Sequence, residues 1–194
     1  MRWHAALLLP LAASMVFARP QTYTPTTVSS SSTPSVTLDY CTVVAAAGNA
    51  SIGFYKYQNV RFAAVPTGDL RWAKPQWPPV ETVVNNGSLA DEDVDCASSE
   101  DCLYMDIWAP ANSQGKKLPV MVWTYGGGFT GGSKSQNTPE GLFNLSTEFV
   151  FVAYNYRLGM TGLANGPTFL HEGTSSLVIS DYQRAYVYEH RRDI

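Results

Sequence analysis

The sequence is poor in the residues that build metal and nucleic-acid sites. Its 194 residues contain three cysteines and three histidines, and the cysteines are scattered instead of grouped at the spacing of metal ligands. Lysine and arginine number 13 against 16 aspartates and glutamates, which gives a formal net charge of -3. The basic patch that nucleic-acid binding requires is therefore not expected. We expect no metal, no cofactor and no nucleic-acid partner.

Long hydrophobic runs are also missing, apart from one at the N-terminus. Arg2 precedes an apolar run over residues 5–17, and small side chains follow up to Ala18. This layout is typical of a secretory signal peptide, residues 1–18, cleaved after Ala18. A membrane anchor is the alternative, but the run is shorter than the ~20 residues that span a bilayer, and Pro10 interrupts it. Later apolar runs have only strand length, so we expect no membrane span.

Three N-x-S sequons agree with export from the cell. They begin at Asn49, Asn86 and Asn144. Such a site accepts an N-linked glycan only if the chain enters a secretory pathway and the asparagine is exposed. The sequence therefore predicts a secreted, extracellular glycoprotein.

The three cysteines leave at least one without an intramolecular disulfide partner. In an oxidising compartment Cys96 and Cys102 are the natural pair, closing a short loop. A loop of this size removes little chain entropy, so the bridge is expected to stabilise the fold modestly. Cys41 is then a free thiol, or it bridges to something outside this chain.

The chain divides into a polar lead and one domain. Residues 19–37 are rich in Ser and Thr, cannot bury enough apolar surface to order themselves, and are expected to be flexible and open to O-glycosylation. Residues 38–194 are expected to form the domain, with order beginning near Val36. The first part of the domain contains strand-like runs at residues 36–44, 54–64 and 103–108. These runs predict a small β-rich region with long connections.

The second part has the pattern of an α/β sheet. Residues 118–125 and 149–155 are nearly continuous apolar runs. Strands without alternation of polar and apolar residues indicate that both faces are covered, as in a mostly parallel sheet between helices. Helical turns are expected at residues 139–145, and a helix over residues 181–192.

A glycine loop follows the first of these strands directly. It reads Gly126-Gly127-Gly128-Phe129. Backbone N–H groups without neighbouring side chains suit a developing oxyanion in acyl transfer. A phosphate-binding loop would need the Gly-Lys-Ser/Thr ending that is absent here, and the dinucleotide pattern lacks its acidic residue. Taken alone, the triplet is equally compatible with a flexible turn.

Four motifs in order make the sequence resemble the type-B carboxylesterase/lipase family, which includes fungal extracellular lipases and cholinesterases. The family's "pyA-pP-G-LR(F/W)" stretch is similar to Phe-Ala-Ala-Val-Pro-Thr-Gly-Asp-Leu-Arg-Trp in this sequence. Its "SEDCLyLNvW" signature is similar to Ser-Glu-Asp-Cys-Leu-Tyr-Met-Asp-Ile-Trp. Leu-Pro-Val-Met-Val-Trp enters the glycine loop as the family's oxyanion strand does, and Asn-Tyr-Arg-Leu-Gly matches "NYRLG". These motifs occupy residues 62–72, 99–108, 118–123 and 155–159.

The resemblance implies an α/β-hydrolase fold and roles for individual residues. It implies a carboxylic-ester substrate and places the oxyanion donors on the backbone N–H groups of Gly127 and Gly128. It also implies two structural ion pairs, the second with an aspartate ahead of a helix, and it supports a bridge between the two nearby cysteines. The ion pairs are Arg71 with Glu100 and Arg157 with Asp181, and the bridge joins Cys96 and Cys102. Both ion pairs are expected to be partly buried, so that losing one member would be costly.

The nucleophile of the family is expected in a G-x-S-x-G elbow, and no such pattern occurs in the 194 residues. The triad acid and histidine of the family follow the serine in chain order. His171 and His190 are expected to be surface residues. We therefore interpret the chain as the N-terminal portion of a serine esterase or lipase that ends before the nucleophile, and expect no catalytic residue and no activity from it alone.

One consequence of this interpretation concerns the sheet. A half-built sheet would leave a central strand at residues 149–155 without a neighbour, which predicts poor solubility. The alternative to an incomplete esterase is a non-catalytic secreted binding protein derived from the same fold. The sequence predicts neither an oligomeric state nor the chain length of the ester.

Overall fold

The computed structural model describes residues 33–167 and 177–190. The predicted signal peptide, most of the Ser/Thr-rich segment and His171 lie outside these ranges. This part of the chain contains seven strands: β1 (Ser35–Thr37), β2 (Thr42–Val44), β3 (Ala47–Asn49), β4 (Phe54–Arg61), β5 (Tyr104–Pro110), β6 (Val120–Trp123) and β7 (Val150–Tyr154). The described ranges also contain three α-helices: α1 (Glu140–Phe143), α2 (Gly159–Leu163) and α3 (Leu177–His190). No helix within the described ranges has the length and apolarity to cross a bilayer.

Five of the strands form one mixed sheet in the order β3-β4-β5-β7-β6. The first three pairings are antiparallel, and β6 and β7 are parallel, with Val120 opposite Val150. The small β region therefore reduces to the two-stranded β1-β2 sheet, since β3, β4 and β5 belong to the main sheet. The two apolar runs, β6 and β7, are parallel to each other as the sequence indicated. The antiparallel pairings of β3, β4 and β5 make the sheet mixed, since apolar continuity reports burial and not strand direction.

The core lies on both faces of β5 and β7. Every residue of these two strands is buried, which confirms the interpretation of the second apolar run. The larger cluster on one face includes Phe62, Leu103 and Tyr154, and the smaller cluster on the other holds Trp108 and Phe151, 5.5 Å apart between ring centroids. Burying aromatic and β-branched side chains on both faces fixes the register, since a slip of one residue would exchange the two faces.

Among the strands described, the sheet ends at β3 on one side and at β6 on the other, and β7 is not an edge strand. β7 lies between β5 and β6, so the expectation of an unpaired strand at residues 149–155 was wrong. β6 is hydrogen-bonded on one side only among the strands described, and the relative exposures of Val120 and Met121 are 37% and 41%. The prediction failed because two apolar runs of similar length do not reveal which is at the edge.

A buried ion pair attaches α3 to the end of β7. Arg157 donates to Asp181 from Nε at 2.9 Å, from Nη2 at 2.7 Å and from its backbone N–H at 3.0 Å. Burial raises the pKa of Asp181, and the hydrogen bonds from Arg157 act in the opposite direction. α3 begins four residues before the predicted start, so Asp181 lies inside the helix and not ahead of it.

The other ion pair lies at the surface. Arg71 and Glu100 are in contact, but their side chains are 40% and 41% exposed. The hydrogen bond from Arg71 lowers the pKa of the Glu100 carboxyl. The expectation that this pair is partly buried and costly to break was therefore wrong, because water solvates each charge when its partner is lost.

We expect Arg157→Met to destabilise the chain far more than Arg71→Met. Removing the buried arginine leaves Asp181 as an uncompensated charge, which costs about 3–5 kcal/mol in the free energy of unfolding. Removing the exposed arginine leaves Glu100 in water and changes that free energy little. Urea denaturation followed by tryptophan fluorescence measures both. Equal shifts of the two midpoints would contradict the difference in burial.

We expect Met121→Lys to reduce self-association of the chain. A lysine on an edge strand opposes pairing with a strand from another molecule. Met160→Lys is the matched control, because Met160 is 74% exposed but lies on α2 and away from the edge. Light scattering after size-exclusion chromatography, over a range of concentrations, measures the oligomer fraction. If both substitutions reduce it alike, net charge and not the β6 edge governs solubility.

Candidate active site

The glycine loop leaves the sheet at the C-terminal end of β6. Gly127 and Gly128 have φ angles of +148° and +61°, in the region that side chains disfavour. A Cβ atom on Gly127 would lie 2.0 Å from the carbonyl oxygen of Gly131, so the two legs of the loop meet without room for a methyl group. The local fold therefore requires glycine at residue 127 for both conformation and space.

The N–H groups of Gly127 and Gly128 are available as donors. Both residues are exposed, and neither N–H has an acceptor in the part of the chain that the structure describes. The carbonyl of Gly127, in contrast, accepts from the N–H of Thr130 at 3.2 Å and from its hydroxyl at 3.1 Å. Two adjacent unoccupied donors in a turn closed by its own carbonyl can bind an anionic oxygen.

A pair of stacked tyrosines forms the foot of the loop. The rings of Tyr125 and Tyr156 are 4.4 Å apart at 12°. The Tyr156 hydroxyl donates to the Tyr125 carbonyl at 2.9 Å, and the Tyr125 hydroxyl donates to the Tyr156 carbonyl at 3.3 Å. Burial raises the pKa of Tyr125 and raises that of nearby Tyr154 to about 12. These hydroxyls therefore stay protonated near neutral pH and act as structural groups.

The far side of the loop is fixed by Phe129. This residue has φ +61°, which is unusual for a side chain other than glycine or asparagine. Its carbonyl accepts from the N–H of Gly159 at 2.7 Å, and its ring meets Tyr156 edge-on at 6.3 Å. The start of α2 and the end of β7 therefore hold the loop in a conformation of higher energy, which is a common feature of functional sites.

A cavity of about 360 Å³ lies beside the loop. The wall of the cavity contains the disulfide and one member of each of the two ion pairs that the sequence predicted. Its lining includes Cys96, Cys102, Glu100, Thr130, Arg157 and Met160. Glu100 and Arg157 are both engaged by their ion-pair partners, so they shape this cavity instead of presenting free charge to it.

The cysteines form the bridge that the sequence suggested. Cys96 and Cys102 are joined by a disulfide. Cys41 is buried and belongs to no disulfide among the residues described. The bridge closes the loop that forms one wall of the cavity.

Candidate nucleophiles near the loop are paired with each other. Ser133 and Ser135 share a hydrogen bond of 2.8 Å between their hydroxyls. Within those ranges no group of three or more His, Cys, Asp or Glu side chains could hold a metal ion. The arrangement can stabilise an oxyanion.

The three sequon asparagines are all exposed. Asn49 accepts at Oδ1 from the N–H groups of Ser51 at 2.9 Å and Ile52 at 3.0 Å, in a turn after β3. Asn86 and Asn144 lie in a loop and just after α1. Each is accessible to a modifying enzyme.

Sequence reasoning missed the side chains that support the loop. Tyr125 directly precedes the glycine loop and Tyr156 lies inside the motif at residues 155–159, but an aromatic residue next to a strand is usually interpreted as core. Asn155 was also missed, although a fully buried asparagine at the end of an apolar strand signals a side chain with fixed hydrogen-bond partners.

The chain is similar to members of one protein family, in its sequence and in its structure. A model of the carboxylesterase family matches residues 32–176. The chain is 35% identical over 133 residues to a fumonisin B1 esterase of Sphingopyxis macrogoltabida, covering 62% of this chain and 24% of that protein. It is 38% identical over 108 residues to a secreted lipase of Arthroderma benhamiae, covering 50% and 21%.

A solved structure, that of Aspergillus niger EstA, superposes with a TM-score of 0.70 at 26% identity, covering 84% of this chain and 33% of the other. The chain thus spans between a fifth and a third of the length of these relatives. The shared arrangement of strands is a partial α/β-hydrolase fold, as the resemblance implied. Because the family model covers more than half of the sequence, the chain belongs to the carboxylesterase family.

Proposed function

We propose that this chain is the part of a secreted carboxylic-ester hydrolase that carries the oxyanion loop. The observation that supports this most is the pair of exposed, unoccupied N–H groups at Gly127 and Gly128. They stand at the C-terminal end of a sheet strand, in a chain that belongs to the carboxylesterase family. The substrate class that follows is an ester whose carbonyl oxygen becomes negative during acyl transfer.

The two donors would act on the carbonyl oxygen of the ester. As a nucleophile adds to the carbonyl carbon, the oxygen gains charge, and hydrogen bonds to fixed N–H groups become stronger in the transition state than in the bound ester. Each such donor typically contributes about 10²–10³ in rate. The glycine conformation is set before substrate binds, so little reorganisation accompanies the reaction.

The attacking group would come from a G-x-S-x-G elbow, which also supplies a further N–H to the oxyanion hole. These 194 residues contain no such elbow. We therefore propose that the chain by itself does not turn esters over.

Secretion belongs to the same proposal. The apolar N-terminal run, the three exposed sequons and the Cys96–Cys102 disulfide all fit an oxidising export pathway. One relative is named a secreted lipase. Export would also allow the Ser/Thr-rich segment to carry O-linked sugars.

The oxyanion role is tested in a chimera with Aspergillus niger EstA, in which residues 33–190 replace the matched part. We expect the chimera to hydrolyse p-nitrophenyl acetate, and Gly127→Ala to lower its kcat by about 10²-fold, since the new methyl group displaces the loop. Gly126→Ala is the matched control, because a Cβ there meets nothing within 4 Å. The unmodified 194-residue chain is expected to show only the background rate.

Each arm of this experiment has an opposing result. Turnover by the chain alone would contradict the missing nucleophile. Equal losses in Gly126→Ala and Gly127→Ala would contradict the assignment of Gly127. A folded but inactive chimera would favour the alternative that the chain is a non-catalytic secreted binding protein.

We also expect the chain to be secreted and glycosylated when expressed in yeast. The secreted product should begin at Arg19, after the predicted signal peptide, and digestion with an N-glycosidase should lower its apparent mass. Replacing the sequon asparagines by glutamine, Asn49→Gln, Asn86→Gln and Asn144→Gln together, should abolish that shift. Retention in the cell with an intact N-terminus would instead support the membrane-anchor alternative. N-terminal sequencing and gel mobility measure the outcomes.

A further inference from the structure

A lysine stands at the exit of the glycine loop with its side chain fully buried. The side chain of Lys134 has 0% exposure. Its Nζ lies 2.9 Å from Oδ1 of Asp106 and donates to the carbonyl of Glu92 at 2.8 Å. Its backbone N–H donates to Oδ1 of Asn155 at 2.8 Å. A cation removed so completely from water requires a compensating partner, and here the partner is equally buried.

The partner, Asp106, is held rigidly in the middle of the sheet. It belongs to β5 and has 0% exposure. Its Oδ1 also accepts from the backbone N–H of Asn59 at 2.9 Å, while its Oδ2 lies 3.5 Å from Nζ of Lys56. Lys56 in turn binds Glu92 Oε1 at 2.6 Å. Asp106 therefore presents Lys134 with an acceptor at a fixed position in the sheet.

The exit leg that Lys134 fixes is in contact with the entry leg of the loop. A Cβ on Gly132 would lie 2.7 Å from the carbonyl oxygen of Gly126, and one on Gly127 would lie 2.0 Å from that of Gly131. Only a few bonds separate Lys134 from these contacts. A shift of the lysine is therefore transmitted by direct contact to the backbone of Gly127.

We propose that the buried Lys134–Asp106 ion pair positions the oxyanion donors by anchoring the exit leg of the glycine loop to the sheet. The inference rests on the proposed function for the meaning of the donors, but the anchoring itself concerns this chain alone. Lys134 is a positioning residue, since it reaches the loop through Gly131 and Gly132 and touches no reacting atom.

An ion pair suits this task better than an apolar contact would. Apolar packing is non-directional and tolerates sliding, whereas a lysine with two acceptors at 2.8–2.9 Å is held at one point. Buried ion pairs contribute little net stability compared with well-packed apolar residues, and fixing one arrangement is their best supported use. We therefore expect the Lys134–Asp106 pair to affect the order of the glycine loop more than the stability of the chain.

The test compares three variants of the 194-residue chain by hydrogen exchange at the amides of Thr130 and Gly159, which are bonded to the loop carbonyls of Gly127 and Phe129, with thermal unfolding recorded in parallel. Lys134→Met removes the anchor and leaves Asp106 charged. Lys134→Met with Asp106→Asn removes both charges while keeping an acceptor for Asn59. Lys56→Met is the matched control, because Lys56 faces the same carboxylate but lies on β4 and not on the loop.

We expect exchange at these two amides to become roughly tenfold faster in both variants that lack Lys134, and to stay unchanged in Lys56→Met. The double variant is expected to recover most of the thermal stability that Lys134→Met loses, while its loop still exchanges rapidly. Recovery of slow loop exchange together with stability would overturn the proposal, and so would equally fast exchange in Lys56→Met. Because the readout is amide exchange and not hydrolysis, these outcomes are independent of the esterase experiments.

Discussion

Three consecutive residues after β7 each tie a different segment to the sheet. Asn155 accepts from the exit of the glycine loop, Tyr156 stacks on the foot of that loop, and Arg157 binds α3 through Asp181. β7 can carry these attachments because both its faces and both its edges are covered. The candidate site is therefore attached to the most deeply buried strand, and the position of that strand determines the geometry of the site.

Charge is used in two different ways around this centre. Arg157–Asp181 and Lys134–Asp106 are desolvated pairs whose directional bonds connect segments distant in sequence. Arg71–Glu100 is solvated and closes the rim of the cavity without determining the fold. The same residue types therefore carry different energetic weight, and burial decides which of them the structure depends on.

Much of this arrangement could be predicted from the sequence. The glycine loop, β5, β7 and the Cys96–Cys102 bridge follow from local patterns, and the motifs that indicated the family also indicated Arg157 with Asp181. The order of the strands could not be predicted, because two apolar runs do not specify their neighbours. The burial of Lys134 was equally hidden, since a lysine between two serines resembles a surface turn until β5 brings Asp106 beneath it.

The stacked tyrosines give the loop an optical property of its own. Two parallel phenol rings 4.4 Å apart in a buried setting couple their electronic transitions and are held in one chiral orientation. Such a pair contributes to the near-ultraviolet circular dichroism of the folded chain and loses that contribution when the rings separate. The foot of the glycine loop therefore adds its own contribution to the label-free signal of the folded chain, beside those of the other aromatic residues.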